Sequence, residues 1–520
     1  MTGFGGRAFG EPPQTAERRP PPLAPHKFFL FALVAALWIG AGLFGRDPWK
    51  PQETEFTVLI AAQTGAISPP ETALPLRPPS IYLTLAEWSA RIFAPLLPLH
   101  EGARMINALL FAAGFLFIGL AAGGGARRGW MAVFLTMGMA GLAVRAHLLN
   151  LAAPAFFGAA ALLLGAQLLR RNALGGGVLA GGSAAFLFAA ASPSVAVFAA
   201  GGVLLVLGRA EWRRPSVYAG LAAAAVFFAP LALLSPFAKQ AAESLIPKTD
   251  WTVAADLARL AAWSLFPALP IAAVALWKRG AADAELFLCL AMAGAGAAHF
   301  AAFGGREEDL FWLMPPLAVF AARGLEKLPD DYAAILDWFA VIVAGACCVG
   351  GLWAAWFLAQ SGAEWESLAQ WRERFPLLKT PHTAGWKIAA AGLITALWAG
   401  LAANMGRSNE RAVLNWSAGV TVIWCVFNLL WVPAVDSGKS YRPMAAAVIS
   451  HSGEECVQAG AGTAEAAGQL YYFGAKSGEN CKWIFQNAEQ DAPADSRQIW
   501  QGGRYDRKNY ILYKRINGGE

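Results

Sequence analysis

Between residues 28 and 432 the chain returns repeatedly to apolar runs of roughly 15 to 23 residues, split by short connections that carry Arg and Lys. In lipid such a run satisfies its backbone hydrogen bonds only as a helix, so the repetition commits the chain to a bundle of membrane-spanning helices. The runs lie at 28–45, 104–122, 130–147, 150–169, 177–192, 194–208, 216–234, 259–277, 284–303, 309–323, 336–358, 385–405 and 412–432. Their number predicts an all-α polytopic membrane protein with about 13 transmembrane helices, the shorter ones accommodated by tilt and mismatch. With 57% hydrophobic and 15% charged residues over 520 positions, the chain has more apolar side chain than one soluble core buries.

Charge tests that count independently. With a cytoplasmic N-terminus, every predicted inner connection is basic: Arg127–Arg128, Arg170–Arg171, Arg209 with Arg213–Arg214, Lys278–Arg279, Arg323 with Lys327, and Arg407 with Arg411. The short outer connections at 148–150 and 193 carry no Lys or Arg. An odd number of crossings then puts the C-terminus outside, on the periplasmic side of a bacterial inner membrane. Loop charge also accounts for the net +6, since the basic residues form no stripe or tail of the kind that binds nucleic acid. Residues 1–27 are polar, Pro- and Gly-rich, and basic just before the first run, which reads as a disordered cytoplasmic tail. A cleaved signal peptide over 28–45 is disfavoured because apolar spans continue far beyond it.

The remaining organisation follows from composition. Residues 28–433 form the transmembrane domain, and within it 46–103 is a long first periplasmic loop with helical stretches at 53–63 and 80–93, both read as interfacial helices. A second outer segment spans 359–384. From 434 to 520 the chain turns soluble in character, with helices near 440–451 and 463–473 and strands near 454–458, 482–487, 497–501 and 509–514, giving a small periplasmic α/β domain. Cys456 and Cys481 fall there, where an oxidising compartment permits a disulfide, while Cys289, Cys347, Cys348 and Cys425 lie in apolar runs. The glycine triplets at 123–125 and 175–177 lack the strand–helix context of a phosphate loop and read as connectors. Trp49, Trp130, Trp277, Trp338 and Trp386 fall near span ends, where an indole anchors at headgroup level.

The first loop concentrates polar residues beside the bilayer. It reads Gly45-Arg46-Asp47-Pro48-Trp49-Lys50-Pro51-Gln52-Glu53-Thr54-Glu55 and then Leu74-Pro75-Leu76-Arg77-Pro78-Pro79-Ser80-Ile81-Tyr82-Leu83. Together with Leu310 to Leu317, Leu336 to Phe339 and Gly438 to Pro443, this arrangement resembles the GT-C glycosyltransferases of the protein mannosyltransferase and lipid A aminoarabinose transferase type, in a subgroup with a soluble C-terminal domain. The resemblance covers nearly the whole chain. It implies a GT-C-like fold, an active site in the first outer loop, and a polyprenyl-phosphate-linked sugar as donor.

That donor has a good leaving group, so the residual task is to deprotonate an acceptor and neutralise the departing phosphate. By the resemblance, Glu53 matches the Glu of an Asp-Glu pair and Arg77 the Lys before two prolines. Gln52 stands where the pair's Asp belongs, and an amide orients a hydroxyl without taking its proton. Ala152 occupies the place of a second acid, and Leu76 replaces an acidic residue, which argues against carrying over a metal ligand. The candidate catalytic carboxylates are therefore Glu53, Asp47 and Glu55, against simpler roles in a turn for Asp47 and a solvated helix face for Glu55. Candidate donor-phosphate contacts are Arg77, Arg145, Arg306 and Lys50, with headgroup anchoring or snorkelling as the alternative. Gln52, Tyr82 and His147 are candidates for contacting substrate.

The reading is thus a glycosyltransferase moving a sugar from a polyprenyl-phosphate donor to a lipid, glycan or protein acceptor outside the cytoplasm. No cofactor is required by that chemistry, no Cys/His spacing forms a zinc site, and dependence on a divalent metal is left open. The altered acids motivate a second reading, a non-catalytic relative that binds lipid or assists assembly. A transporter needs buried intramembrane charge or repeated halves, and the spans display neither.

Overall fold

The computed structural model describes residues 25–49, 51–68, 80–234, 252–279, 283–303, 307–359, 384–460, 462–504 and 509–516. Helix α1 (Pro25–Gly40) leads into the first loop, which contains α2 (Pro51–Gln63) and α3 (Ile81–Phe93). There follow α4 (Leu99–Ala122), α5 (Ala126–Met137), α6 (Ala140–Arg145), α7 (Ala152–Leu168), α8 (Ala173–Phe186), α9 (Pro193–Leu204) and α10 (Pro215–Leu234). The second half holds α11 (Thr252–Ser264), α12 (Ala268–Arg279), α13 (Ala284–Phe303), α14 (Met314–Gly324), α15 (Asp330–Ala359), α16 (Gly385–Asn404) and α17 (Asn409–Leu430). The second outer segment at 359–384 falls almost wholly outside the described residues.

Helical structure occupies each of the expected apolar runs, but the spans are not uniform. Among the described residues six helices are long and apolar enough to cross a membrane alone, beginning with Leu99–Ala122 and ending with Asn409–Leu430. A seventh results if Leu257–Ser264 and Ala268–Lys278, bent by 97° to each other, count as one. The bend falls at Pro267, which has no N–H to continue the ladder and pushes Phe266 out of helical geometry. The expected span 130–147 is likewise broken, between α5 and α6. There α17 side chains bond carbonyls at the end of α5: Trp416 Nε1 donates to Gly138 O at 2.6 Å and Ser417 Oγ to Phe134 O at 2.5 Å, beside the Gly138 amide.

One glycine triplet departs from expectation. Gly123, Gly124 and Gly125 form the turn between α4 and α5 with positive φ throughout, as a connector does. Gly175–Gly177 instead lie inside α8, whose N-terminus is capped by Asn172 Oδ1 accepting from Gly175 N at 2.9 Å. A Cβ at Gly177 or Gly181 would collide with the backbone of Gly220 or Ala224 on α10, so this small-residue stripe seats two helices in direct contact.

Ion pairs gather the expected inner connections at one end of the bundle. Arg127 pairs with Glu410 at 2.5 Å, Arg128 with Glu326 at 3.0 Å and Arg171 with Glu285 at 3.6 Å, while Lys278 Nζ donates to Lys327 O at 3.1 Å. Helix α4 runs from the first loop to that end, so the loop lies at the opposite pole. Trp277, Trp338 and Trp386 are exposed on the bundle surface, as bilayer anchors require.

Helix α18 (Val432–Lys439) follows α17 and leads into a small α/β unit made of α19 (Arg442–Ser452), β1 (Val457–Ala459), α20 (Ala464–Tyr472), β2 (Trp483–Asn487), β3 (Ser496–Gly502) and β4 (Tyr510–Arg515). The sheet order is β1-β2-β4-β3, with β1 parallel to β2 and the other pairs antiparallel. Met444, Val448 and Leu470 of the helices pack with Phe485 and Leu512 of the strands to form its core. Cys456 and Cys481 are joined at 2.03 Å, tying the entry of β1 to that of β2.

Candidate functional site

The first loop is folded around one buried carboxylate. Glu53, in the first turn of α2, has no solvent exposure and accepts five hydrogen bonds. Its Oε2 takes Arg46 Nη1 and the Trp49 amide, both at 3.0 Å. Its Oε1 takes Arg104 Nε at 2.9 Å, Arg46 Nη2 at 3.2 Å and the Leu149 amide at 3.3 Å. Burial opposes the charge, but the Arg104 and Arg46 guanidiniums outweigh it and hold the pKa at about 2.

Both arginines also organise backbone. Arg104 donates to Arg46 O at 2.8 Å and Asp47 O at 3.2 Å, and Arg46 donates to Gly42 O at 3.1 Å and to His147 O. The residues that follow α1 are thereby fastened to the start of α4 and to the segment 147–150. Asn107 Nδ2 adds a bond to Leu148 O at 2.7 Å, and Tyr82 Oη donates to Asn107 Oδ1 at 2.8 Å.

A second cluster lies where this loop meets α18 and the C-terminal unit. Arg442 grips Asp47, Nη2 to Oδ1 at 2.6 Å and Nε to Oδ2 at 2.9 Å, and Ser440 Oγ donates to Oδ2 at 2.7 Å. Burial alone would raise the Asp47 pKa, but the bonds from Arg442 and Ser440 bring it below its ordinary value. Asp436, on α18, receives the Asp47 amide at 3.1 Å on both oxygens and the Trp49 indole N–H on one. Burial and the neighbouring Asp47 charge lift its pKa to about 6 against the Trp49 bond. The Trp49 ring lies under Arg46 at 4.9 Å and Lys439 at 5.2 Å.

Helix α2 is enclosed, in contrast to the expected interfacial helix. Thr54 Oγ1 donates to Glu465 Oε1 at 2.7 Å and Gln469 Nε2 to Thr54 O at 2.9 Å, so α20 covers it from the soluble side. His100 Nδ1 meets Tyr472 Oη at 2.7 Å, Ser477 Oγ donates to Ser68 O at 2.6 Å, and Arg504 Nη1 donates to Trp49 O at 3.0 Å. Helix α3 keeps the interfacial character, with Ile81, Trp88 and Ile92 exposed on its surface.

The structure brings Glu53, Asp47 and Gln52 into this region and places the other candidates variously. Gln52 is partly exposed, and its Oε1 is buried without a hydrogen-bond partner among the described residues. Glu55 is half-buried on α2. Tyr82 is fully buried and its hydroxyl is pushed above its ordinary pKa, first by burial. His147 is packed, with Nε2 at 2.8 Å from Trp38 O and its ring stacked on Trp424, which leaves no ring nitrogen facing solvent. Arg145 lies 3.8 Å from Glu308. Ala152 is buried at the first position of α7, its amide donating to Asn150 Oδ1 at 2.9 Å. Lys50, Arg77 and Arg306 lie outside the described residues. Trp49, expected as a bilayer anchor, is instead buried in the cluster. Among the described residues no group of three His, Cys, Asp or Glu converges as metal ligands.

Four participants escaped sequence reading. Arg46 and Arg442 stand in the quoted stretches without an assigned role, and Arg104 was legible as an ionisable residue opening an apolar run. Asp436 gave no local signal, because only the fold sets it beside Asp47.

No protein-family model matches the chain, and no curated protein matches it. Solved structures do. The crystal structure of ArnT from Cupriavidus metallidurans in the apo state aligns with a TM-score of 0.65 at 14% identity, covering 95% of this chain and 99% of that one. The same protein bound to undecaprenyl phosphate aligns with a TM-score of 0.63 at 13% identity, covering 94% and 98%. The chain therefore shares the ArnT fold over about 95% of its length.

Proposed function

We propose that this protein is a membrane glycosyltransferase that moves a sugar from a polyprenyl-phosphate donor to an acceptor on the periplasmic side of the inner membrane. The observation that carries the reading is the fold match over 94% of the chain to a structure containing undecaprenyl phosphate. The site geometry supports it. Polar chemistry is concentrated in a loop at the pole opposite the basic connections, held rigid by Glu53, Arg46 and Arg104 and roofed by the C-terminal unit. Preorganisation of this kind lets charged groups act on developing charge without reorganising.

In this reading Glu53 organises the loop, since a carboxylate with five donors and a pKa of about 2 is a poor proton acceptor near neutral pH. Arg145, Arg77, Arg306 and Lys50 supply positive charge for the donor phosphate. Gln52, with its buried carbonyl oxygen, orients a substrate hydroxyl.

Gln52 and Ala152, standing where acids belong, favour a second reading, a non-catalytic lipid-binding relative. One experiment separates the two. Glycolipids and glycoproteins of deletion and complemented cells are compared by mass spectrometry, and purified wild-type protein is given undecaprenyl-phosphate monosaccharides with the deletion-strain membrane extract. A sugar-bearing product that depends on the gene and forms in vitro supports the enzyme. Identical profiles with no turnover establish the non-catalytic relative.

A further inference from the structure

Sugar transfer to a hydroxyl needs a proton acceptor, and the acids expected from the resemblance are replaced at Gln52 and Ala152. The carboxylates gathered at the loop differ sharply in what already occupies them. Glu53 is saturated by two guanidiniums and two amides. Asp47 is held at both oxygens by Arg442 and once more by Ser440. Glu465 accepts from Thr54 and Tyr441, with Arg504 at 3.9 Å. Asp436 differs from these three, because its hydrogen bonds come from neutral donors, the Asp47 amide and the Trp49 indole.

We propose that Asp436, delivered by α18 to the first loop, is the general base of this enzyme, and that the acceptor it serves is a hydroxyl. The role rests on the glycosyltransferase reading above. In the step, the acceptor oxygen bonds to the anomeric carbon while its proton passes to an Asp436 oxygen. The bond from the anomeric carbon to the phosphate oxygen breaks, and its electron pair leaves with the polyprenyl phosphate. The donor phosphodiester carries one negative charge and the product monoester two, so the proton on Asp436 balances the exchange.

Two observations support the assignment. Asp436 is only partly exposed and lies directly beside the loop that the reading makes the site, bonded to the Asp47 amide and the Trp49 indole. Asp47 and Asp436 adjoin yet are pushed apart in acidity, one held ionised by Arg442 and Ser440, the other lifted to about 6 by burial and the Asp47 charge. Such divergence separates a permanent anion from a group that exchanges protons near neutral pH. Among the described residues, the charged groups acting on Asp436 include Asp47 and Arg46 from the first loop and Arg442 from α19, and Lys439 of its own helix lies above the Trp49 ring. A phosphate acceptor is already ionised and calls for no base, which is why this carboxylate points to a hydroxyl.

The test uses full-length protein in nanodiscs, undecaprenyl-phosphate monosaccharides as donors and the deletion-strain membrane extract as acceptor. Asp436→Asn keeps an acceptor oxygen for the Asp47 and Trp49 donors, so undecaprenyl phosphate binding and thermal unfolding stay at wild-type values while turnover falls by about 100-fold or more. In wild type, turnover drops on the acid side with a midpoint near pH 6, and that limb is missing from the residual activity of Asp436→Asn. Asp436→Glu recovers part of the turnover and the limb. Wild-type turnover in Asp436→Asn, an unchanged acid limb, or a product linked through phosphate overturns the role. So does loss of undecaprenyl phosphate binding together with turnover, which marks Asp436 as structural. Absence of turnover by wild type with every donor overturns the glycosyltransferase reading itself.

Discussion

Arg442 and Asp47 meet in a two-point ion pair across 395 residues of chain, Nη2 to Oδ1 at 2.6 Å and Nε to Oδ2 at 2.9 Å. The pair makes the first loop and the C-terminal unit one mechanical body. Bidentate geometry fixes orientation as well as distance, so the loop backbone at Asp47 is held in register with α18 and α19.

Asp47→Asn and Arg442→Ala therefore loosen the seam without unfolding the bundle. Charge-assisted hydrogen bonds contribute about 1.5–3 kcal/mol, so amide exchange at 46–49 speeds up by more than about tenfold in either variant. Hydrogen exchange by mass spectrometry reads this directly, and exchange at the wild-type rate in both variants would show that the pair is dispensable.

Glu53→Gln acts on the whole fold. It removes the carboxylate that both buried arginines, Arg46 and Arg104, bond directly, and breaking such a pair costs about 3–5 kcal/mol. The expected result is a lower thermal midpoint in detergent and a reduced yield of folded protein. Glu55→Gln, two residues along on a half-buried position, stays within about 1 kcal/mol of wild type. Equal midpoints for the two variants contradict the assignment.

The same carboxylate sets an acid limit. Its pKa falls from 4.5 to about 2 on folding, so the folded state binds fewer protons than the unfolded one as pH drops through this window. The stability it contributes is complete above about pH 4.5 and is lost as pH falls towards about 2. The thermal midpoint should fall as pH is lowered through that window in wild type, and this component should be lost in Glu53→Gln.

Removing the Cys456–Cys481 bond, which spans 25 residues, with the double Ser variant should destabilise the C-terminal unit by about 2–4 kcal/mol. Because the strand and helix core is separate from the bundle core, the loss appears as proteolysis within 442–516 while the apolar helices remain protected. Peptide mapping without reductant checks the bond itself, and free thiols at both positions in membrane-extracted protein would count against it.

Sidedness has its own measurement. Alkaline phosphatase fused after Lys439 should be active, and fused at Arg128 it should be inactive, because the two positions lie at opposite poles of the structure. An expressed but inactive fusion after Lys439 overturns the proposed orientation.

Much of the fold was legible because lipid imposes a one-dimensional rule. Length and hydropathy identify a helix without reference to its neighbours, and the approximate positions of β1 to β4 along the chain follow from alternation and turns. The rule failed where neighbours intervene. Nothing local to 130–147 announces that Trp416 and Ser417 will take the carbonyls at Phe134 and Gly138 and stabilise a break. Gly175–Gly177 look like a connector until α10 is packed against them.

Alone, the sequence determined the membrane solvent, the basic pole, the polar first loop and the soluble tail, because each is a property of composition over a window of adjacent residues. Tertiary structure decided which acids are locked and which can still exchange a proton. Glu53 and Asp436 are the same functional group 383 positions apart by residue number. One is held near pKa 2 by two arginines and the other lifted to about 6 by burial and a neighbouring carboxylate. Proton affinity depends on charges within a few ångströms, and which charges those are is set by contacts between distant parts of the chain.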